Sequence, residues 1–194
     1  MIDVPGRSPP RSTAWRVSVL LHPFAVFVTL ALIAAWRLEP ASLGRTAAGM
    51  AVSVAIVWGF VLQRRRSGRW HTVDASRPQE RPALYLLALV VAGAFWWWLG
   101  GRGSAASDGV LSVVAMLCIA GLANRWIKLS LHMASLAFAG VALLGMLPAA
   151  GVTALALLPL LGWSRLRLAR HVLTEVVLGA LLGMGCGALP LLSG

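Results

Sequence analysis

The stretch WSRLRLARHVLTEVVLGALLG, residues 163–183, decides the fold, because it begins as a polar segment and ends as a hydrophobic helix. Three arginines, a histidine and a glutamate stand at the start of an apolar run of the kind that crosses a bilayer. Charges at the mouth of such a run serve either as interfacial anchors or as a functional site. The rest of the sequence helps to decide between an anchor and a functional site.

The composition indicates a membrane protein. The 194-residue chain is 59% hydrophobic, with a mean hydropathy of +0.81, and it carries several apolar runs near the ~20 residues that a spanning helix needs. We therefore predict an all-α, polytopic transmembrane helical bundle with six to seven spans. Residues 1–16 are expected to form a flexible tail and residues 17–194 a single transmembrane domain. The bilayer is the expected environment, and the sequence does not specify an oligomeric state.

Seven apolar segments can be recognised. Their approximate bounds are 17–36, 43–62, 83–99, 109–127, 131–147, 150–163 and 172–191. The sixth is short and contains Pro159, so we expect it to be kinked, tilted or partly interfacial.

The basic residues are divided unequally between the two faces of such a bundle. Fourteen fall on the face of the N-terminus: Arg7, Arg11, Arg16, Arg64, Arg65, Arg66, Arg69, Arg77, Arg81, Arg125, Lys128, Arg165, Arg167 and Arg170. Three fall on the other face: Arg37, Arg45 and Arg102. Short basic loops stay in the cytoplasm, which predicts a bacterial inner-membrane protein with its N-terminus inside. The net charge of +11 thus reflects loops between spans, and no basic soluble module is present to bind nucleic acid.

Three polar clusters lie on that basic face, at residues 74–82, 128–132 and 164–175. Together they hold two histidines, a carboxylate, hydroxyls and cations, which is what phosphoryl transfer through a phosphohistidine requires. One imidazole attacks phosphorus while a carboxylate orients it, a second protonates the leaving oxygen, and cations hold the phosphoryl oxygens. His171 and Glu175 are four residues apart, so on a helix they share a face. His132 and His171 each open a span, where the helix dipole favours an anion.

The third cluster resembles the third motif of the type 2 phosphatidic acid phosphatase superfamily, which also contains the vanadium haloperoxidases. That motif is Ser-Arg, five residues, His, three residues, Asp. Here it reads Ser164-Arg165, five residues, His171, three residues, Glu175. The resemblance implies that His171 is the nucleophile, that Arg165 binds phosphate and that Glu175 orients His171.

The other two motifs are partly kept. The family's Pro-Ser-Gly-His reads Leu-Ser-Leu-His here, which implies that His132 is the general acid and Ser130 a phosphate ligand, with Lys128 as an added cation. The family's Lys, six residues, Arg-Pro keeps only its end. Arg81, before a proline that suits a helix start, is the preferred phosphate ligand, and Arg77 is a second candidate.

The resemblance predicts an integral membrane lipid phosphatase that needs no metal or other cofactor and whose substrate keeps its tail in the bilayer. An isoprenyl phosphate or diphosphate is favoured, because no soluble portion is present to recognise a large head group, and a phosphatidic acid-type lipid comes next. The alternatives are a non-catalytic relative that binds lipid phosphates or scaffolds partners, and a transporter. A metal held by His132, His171 and Glu175 is a further possibility. His22 and His71 belong to no motif and are interpreted as structural.

Overall fold

The computed structural model describes residues 12–68, 81–101 and 105–192, and all regular structure in these ranges is helical. The helices are α1 (Thr13–Leu20), α2 (Pro23–Leu38), a 3-10 turn (Pro40–Ser42), α3 (Leu43–Arg66), α4 (Arg81–Trp98), α5 (Ala105–Ala123), α6 (Leu131–Leu144), α7 (Pro148–Ala156), α8 (Leu158–Arg167) and α9 (Leu173–Leu192). The all-helical prediction is confirmed for this part of the chain.

Within the described ranges, five helical segments are long and apolar enough to cross a membrane. They are Thr13–Leu38, Pro40–Arg66, Ala106–Ala123, Pro148–Arg167 and Leu173–Leu192. Two further apolar helices, Pro82–Trp98 and Leu131–Leu144, are shorter. By length and composition, the chain is therefore an integral membrane protein. All seven segments coincide with the apolar runs recognised in the sequence.

The N-terminal tail ends earlier than predicted. Helix α1 begins at Thr13, so residues 13–16 are helical rather than part of a flexible tail, while residues 1–11 lie outside the described ranges. The Ser12 side chain accepts a hydrogen bond from the Trp15 backbone N–H at 3.3 Å and caps the helix. Ala14, only 2% exposed, packs into the protein. A capped first turn with a buried residue holds this segment in place.

The sixth apolar segment, expected to be kinked, tilted or partly interfacial, is interrupted at Leu157. Helix α7 ends at Ala156 and α8 begins at Leu158. Pro159 stands in the first turn of α8, where the N–H that proline lacks is not needed for a helical hydrogen bond and its ring fits the helix start.

Helix α6 is the centre of the bundle. It packs against α2, α7, α8 and α9, and every residue from His132 to Gly140 is buried. Its 14 residues extend only ~21 Å at 1.5 Å per residue, less than the ~30 Å hydrocarbon core. A short helix that is hydrophobic on all sides is typical of a protein core.

Helices α6 and α9 approach each other until their backbones touch. The contact face of α9 is a row of glycines spaced by four residues: Gly179, Gly183 and Gly187. A Cβ atom at Gly179 would lie 2.6 Å from the Ser130 carbonyl oxygen, and one at Gly187 would lie 2.6 Å from that of Phe138. Small residues at every fourth position allow such close packing between membrane helices. This contact sets the position of the first turn of α9 relative to that of α6.

Candidate functional site

The turn between α8 and α9 explains the spacing of the third motif. The Arg170 N–H donates to the Arg165 carbonyl at 3.1 Å, and the Ala169 N–H donates to that of Leu166 at 3.0 Å. This is the Schellman pattern of helix termination. Ala169 takes the left-handed conformation, with φ of 51°, which usually falls to glycine. This turn reverses the chain direction within a few residues, so His171 lies between the end of α8 and the start of α9.

His171 and Glu175 make the contact predicted from their spacing. The His171 Nδ1 lies 2.8 Å from Glu175 Oε2, and the Val172 N–H donates to the same oxygen at 3.2 Å. His171 precedes α9 rather than lying in it, so the carboxylate reaches back from the first helical turn, as the acidic residue of a capping box does. Because an ionised carboxylate only accepts hydrogen bonds, this contact assigns a proton to Nδ1, and in the neutral imidazole the lone pair then lies on Nε2.

Arg165 is buried at this site instead of anchoring the protein at the interface. It is 4% exposed, and its Nη1 donates to the Ser18 hydroxyl of α1 at 2.7 Å. The preceding Ser164 donates through its hydroxyl to the Ala14 carbonyl at 2.6 Å. Arg167, two residues further on, is exposed. Burying a guanidinium is costly unless it is paired and hydrogen-bonded, so the position of Arg165 indicates a specific role.

His132 lies beside these groups. It is the second residue of α6 and is 6% exposed. The Ser18 backbone, Arg165 and His171 all lie close enough to His132 to act on its charge. The structure therefore brings both predicted histidines, Glu175 and Arg165 to one end of the bundle.

Ser130 is the N-cap of α6, but its hydroxyl makes no capping hydrogen bond. The backbone N–H of Ser130 donates to the Glu175 carbonyl at 3.1 Å and so joins the first turns of α6 and α9. The side chain is fully buried, and within the described ranges its Oγ has no hydrogen-bond partner. A buried hydroxyl without a partner costs ~1–3 kcal/mol, which a bound oxyanion would recover.

Of the other predicted phosphate ligands, Lys128, Arg81 and Arg77, the structure describes the side chain of Lys128 alone. The Lys128 Nζ donates to the Arg170 carbonyl at 2.8 Å, so it joins the loop before α6 to the turn before α9. Arg81 is the first residue of α4, but its side chain lies outside the described part, as does the whole of Arg77. Among the residues that the structure describes, no three His, Cys, Asp or Glu side chains cluster closely enough to hold a metal ion.

Two residues at the site are missed by the sequence analysis. Ser18 contacts both Arg165 and His132. His22, interpreted from the sequence as structural, lies with its ring centroid 5.0 Å from that of His132, at nearly a right angle. His22 is also the N-cap of α2, because its Nδ1 accepts a hydrogen bond from the Phe24 N–H at 3.3 Å. The following proline, which favours the first position of a helix, was the sequence signal for this cap.

The arrangement can therefore bind an oxyanion beside an imidazole that is oriented by a carboxylate. A second imidazole lies next to it, and a helix N-terminus adds partial positive charge. Comparison of the chain with protein-family models, curated proteins and solved structures gave no match.

Proposed function

We propose that this protein is an integral membrane lipid phosphatase that resembles the type 2 phosphatidic acid phosphatases. It hydrolyses an isoprenyl phosphate or diphosphate, with a phosphatidic acid-type lipid as the second candidate. The observation that carries the proposal is the 2.8 Å contact between His171 Nδ1 and Glu175 Oε2, made beside the buried His132 and Arg165. A protein that only binds phosphate needs cations, but it does not need a histidine whose tautomer is set by a carboxylate.

In the first step, His171 Nε2 attacks phosphorus and the bond from phosphorus to the lipid oxygen breaks. Glu175 stabilises the positive charge that develops on the His171 ring, as in other orienting pairs of this kind. His132, in its protonated form, gives its proton to the departing oxygen. The products of this step are the lipid alcohol, or the lipid monophosphate if the substrate is a diphosphate, and a phosphohistidine.

In the second step, water attacks the phosphohistidine. His132 takes a proton from the water, the bond between phosphorus and Nε2 breaks, and inorganic phosphate is released. Arg165 and the Ser130 hydroxyl hold the phosphoryl oxygens through both steps, and Lys128 adds positive charge. Arg81 stays a phosphate ligand by resemblance alone. This chemistry uses only side chains of the protein.

The finer topology is also a proposal. All seven apolar segments cross or enter the membrane, including the two shorter ones, and the site faces the cytoplasm because the basic loops lie on its side. Single cysteines at positions 64 and 101, in a cysteine-free background, test this orientation. In intact cells, an impermeant thiol reagent should label Gly101→Cys and spare Arg64→Cys. The reverse pattern would overturn the orientation.

Phosphate release from purified protein tests the activity itself. The protein in detergent should release phosphate from prenyl phosphates, prenyl diphosphates or phosphatidic acid, and His171→Ala should abolish release while the protein elutes as wild type does. His71→Ala is the matched control, since His71 belongs to no motif, and it should keep full activity. Full activity in a folded His171→Ala protein would refute the mechanism.

The arginines of α8 offer a second matched pair. Arg165→Ala should lower kcat/KM by about two orders of magnitude or more, because a charge-assisted phosphate contact is lost, whereas Arg167→Ala should change it little. Lipid-phosphate binding without phosphate release in the wild-type protein would favour the non-catalytic alternative.

A further inference from the structure

A large, partly open apolar cavity lies between α2, α3, α4, α5 and α6, and Pro190 and Leu191 of α9 complete its lining. Its volume is about 840 Å³, which lies in the upper part of the range for small-molecule sites. Most of its lining residues are aliphatic or aromatic. A cavity of this composition suits a hydrocarbon better than a polar ligand.

The cavity begins at the candidate site. His22 and His132 line one end of it. His132 is also the proposed proton donor, so a group whose phosphate is bound at His171 has its ester oxygen at the cavity entrance.

The other end lies at the opposite side of the bundle. Leu38, Leu99 and Met146, from the ends of α2, α4 and α6, line it there. Two hydrogen bonds hold these ends together: Arg37 Nε donates to the Met146 carbonyl at 3.1 Å, and Arg45 Nη2 to the Leu99 carbonyl at 3.0 Å. The cavity thus follows the helix axes rather than crossing the bundle.

Its length can be judged along α6, which lines it at both ends: Leu131 and His132 at one end, and Ala142 with the C-cap Gly145 at the other. From His132 to Gly145, thirteen residues at 1.5 Å per residue give ~20 Å, more than the ~15 Å of half a bilayer core. Polar lining side chains lie mainly near the ends, such as His132 at one end and Asp108 at the other. Ser53, about midway, turns its hydroxyl back to the Gly49 carbonyl at 2.8 Å. The interior therefore offers an apolar path of lipid-chain length.

We propose that this cavity holds the hydrocarbon chain of the lipid phosphate, with the chain running from His132 toward Met146. This inference rests on the proposed function and revises one expectation from the sequence, namely that the substrate keeps its tail in the bilayer. A chain in this cavity exchanges much of its contact with the surrounding lipid for contact with protein side chains. The enzyme then selects its substrate by chain length as well as by head group.

Two positions on α4 give a matched test. Ala92 lines the cavity about halfway along it, and Ala94, two residues away, is exposed on the outer surface. Ala92→Phe should lower the ratio of kcat/KM for geranylgeranyl phosphate to that for isopentenyl phosphate by at least about tenfold, because the methylene groups of the longer chain lose their burial. Ala94→Phe should leave the ratio at the wild-type value. An unchanged ratio in a folded Ala92→Phe protein would overturn the proposal.

A photoreactive substrate separates this inference from the proposed activity. The probe is a geranylgeranyl phosphate analogue with a diazirine at the far end of the chain, and the labelled residues are identified by mass spectrometry. We expect labelling at Met146 and Leu191 inside the cavity. Labelling there without phosphate release would support the chain site and refute the phosphatase. Phosphate release with labelling at the exposed Leu86 and Val90 would refute the chain site and keep the phosphatase.

Discussion

Replacing Gly183 with alanine should weaken the contact between α6 and α9. The new Cβ would lie 2.8 Å from the carbonyl carbon of Ala134 and 2.9 Å from its Cα. Ordinary van der Waals contact begins at 3.4 Å, so the carbonyl carbon is about 0.6 Å too close. The clashing atoms are backbone atoms of the central helix, so relief requires the two helices to separate.

The size of the effect follows from two opposing terms. Overpacking in a close-packed interior costs ~1–3 kcal/mol, while alanine is favoured over glycine within a helix by up to ~1 kcal/mol. We expect a net loss of ~1–2 kcal/mol, which for a chain of this length lowers Tm by ~2–8 °C. Gly185→Ala is the matched control, because nothing lies within 4 Å of its Cβ position. That substitution should leave Tm unchanged or raise it slightly.

Moving α6 and α9 apart in Gly183→Ala should also displace the residues of the candidate site. The Ser130 N–H and the Glu175 carbonyl join the two helices at their first turns, and a displacement of this size should lower kcat/KM on the order of tenfold or more. Thermal unfolding in detergent, followed by size-exclusion elution, measures the stability, and phosphate release measures the activity. If Gly183→Ala melted at or above the temperature of Gly185→Ala, the steric argument would be wrong.

Three further outcomes are expected. His132→Ala should impair hydrolysis of a lipid monophosphate more than that of a diphosphate, because a phosphate leaving group needs less protonation; equal losses in kcat would contradict its role as the acid. Ala169→Gly should raise Tm by up to ~2–4 °C, because glycine relieves the positive φ, whereas Ala169→Val should lower it; the opposite order would mean that this turn is not left-handed. Activity should survive EDTA and be inhibited by vanadate, a mimic of pentacoordinate phosphorus. Loss of activity in EDTA with recovery on adding one divalent ion would instead indicate a metal held by His171 and Glu175.

The sequence predicted those features that depend on short-range spacing. The seven apolar segments coincide with helices, and the pairing of His171 with Glu175 follows from residues four apart. The interruption near Pro159 was also predictable, because proline limits the backbone locally. The two side chains meet in a different way from the one predicted, however. They do not share a helix face, because His171 precedes α9 and the Glu175 carboxylate reaches back to it.

Features that depend on long-range packing were not predictable. Ser18 lies 147 positions from Arg165, the side chain that it contacts, and no spacing rule links them. His22 looked like an isolated histidine because its neighbour, His132, belongs to another helix. The glycines of α9 carried a recognisable four-residue spacing, but their partner helix cannot be identified from that spacing alone. The cavity likewise depends on the assembly of six helices, α2 to α6 and α9.

The central position of α6 has a consequence for how the protein is made. This helix extends only ~21 Å and is surrounded by other helices rather than by lipid, so most of its environment is synthesised after it. While α7, α8 and α9 are still in the ribosome, the buried faces of α6, including His132 and Ser135, have no protein partners from those helices. Nascent chains that end shortly after Leu144 should therefore be retained at the insertion machinery or degraded, and stable integration should await the arrival of α9.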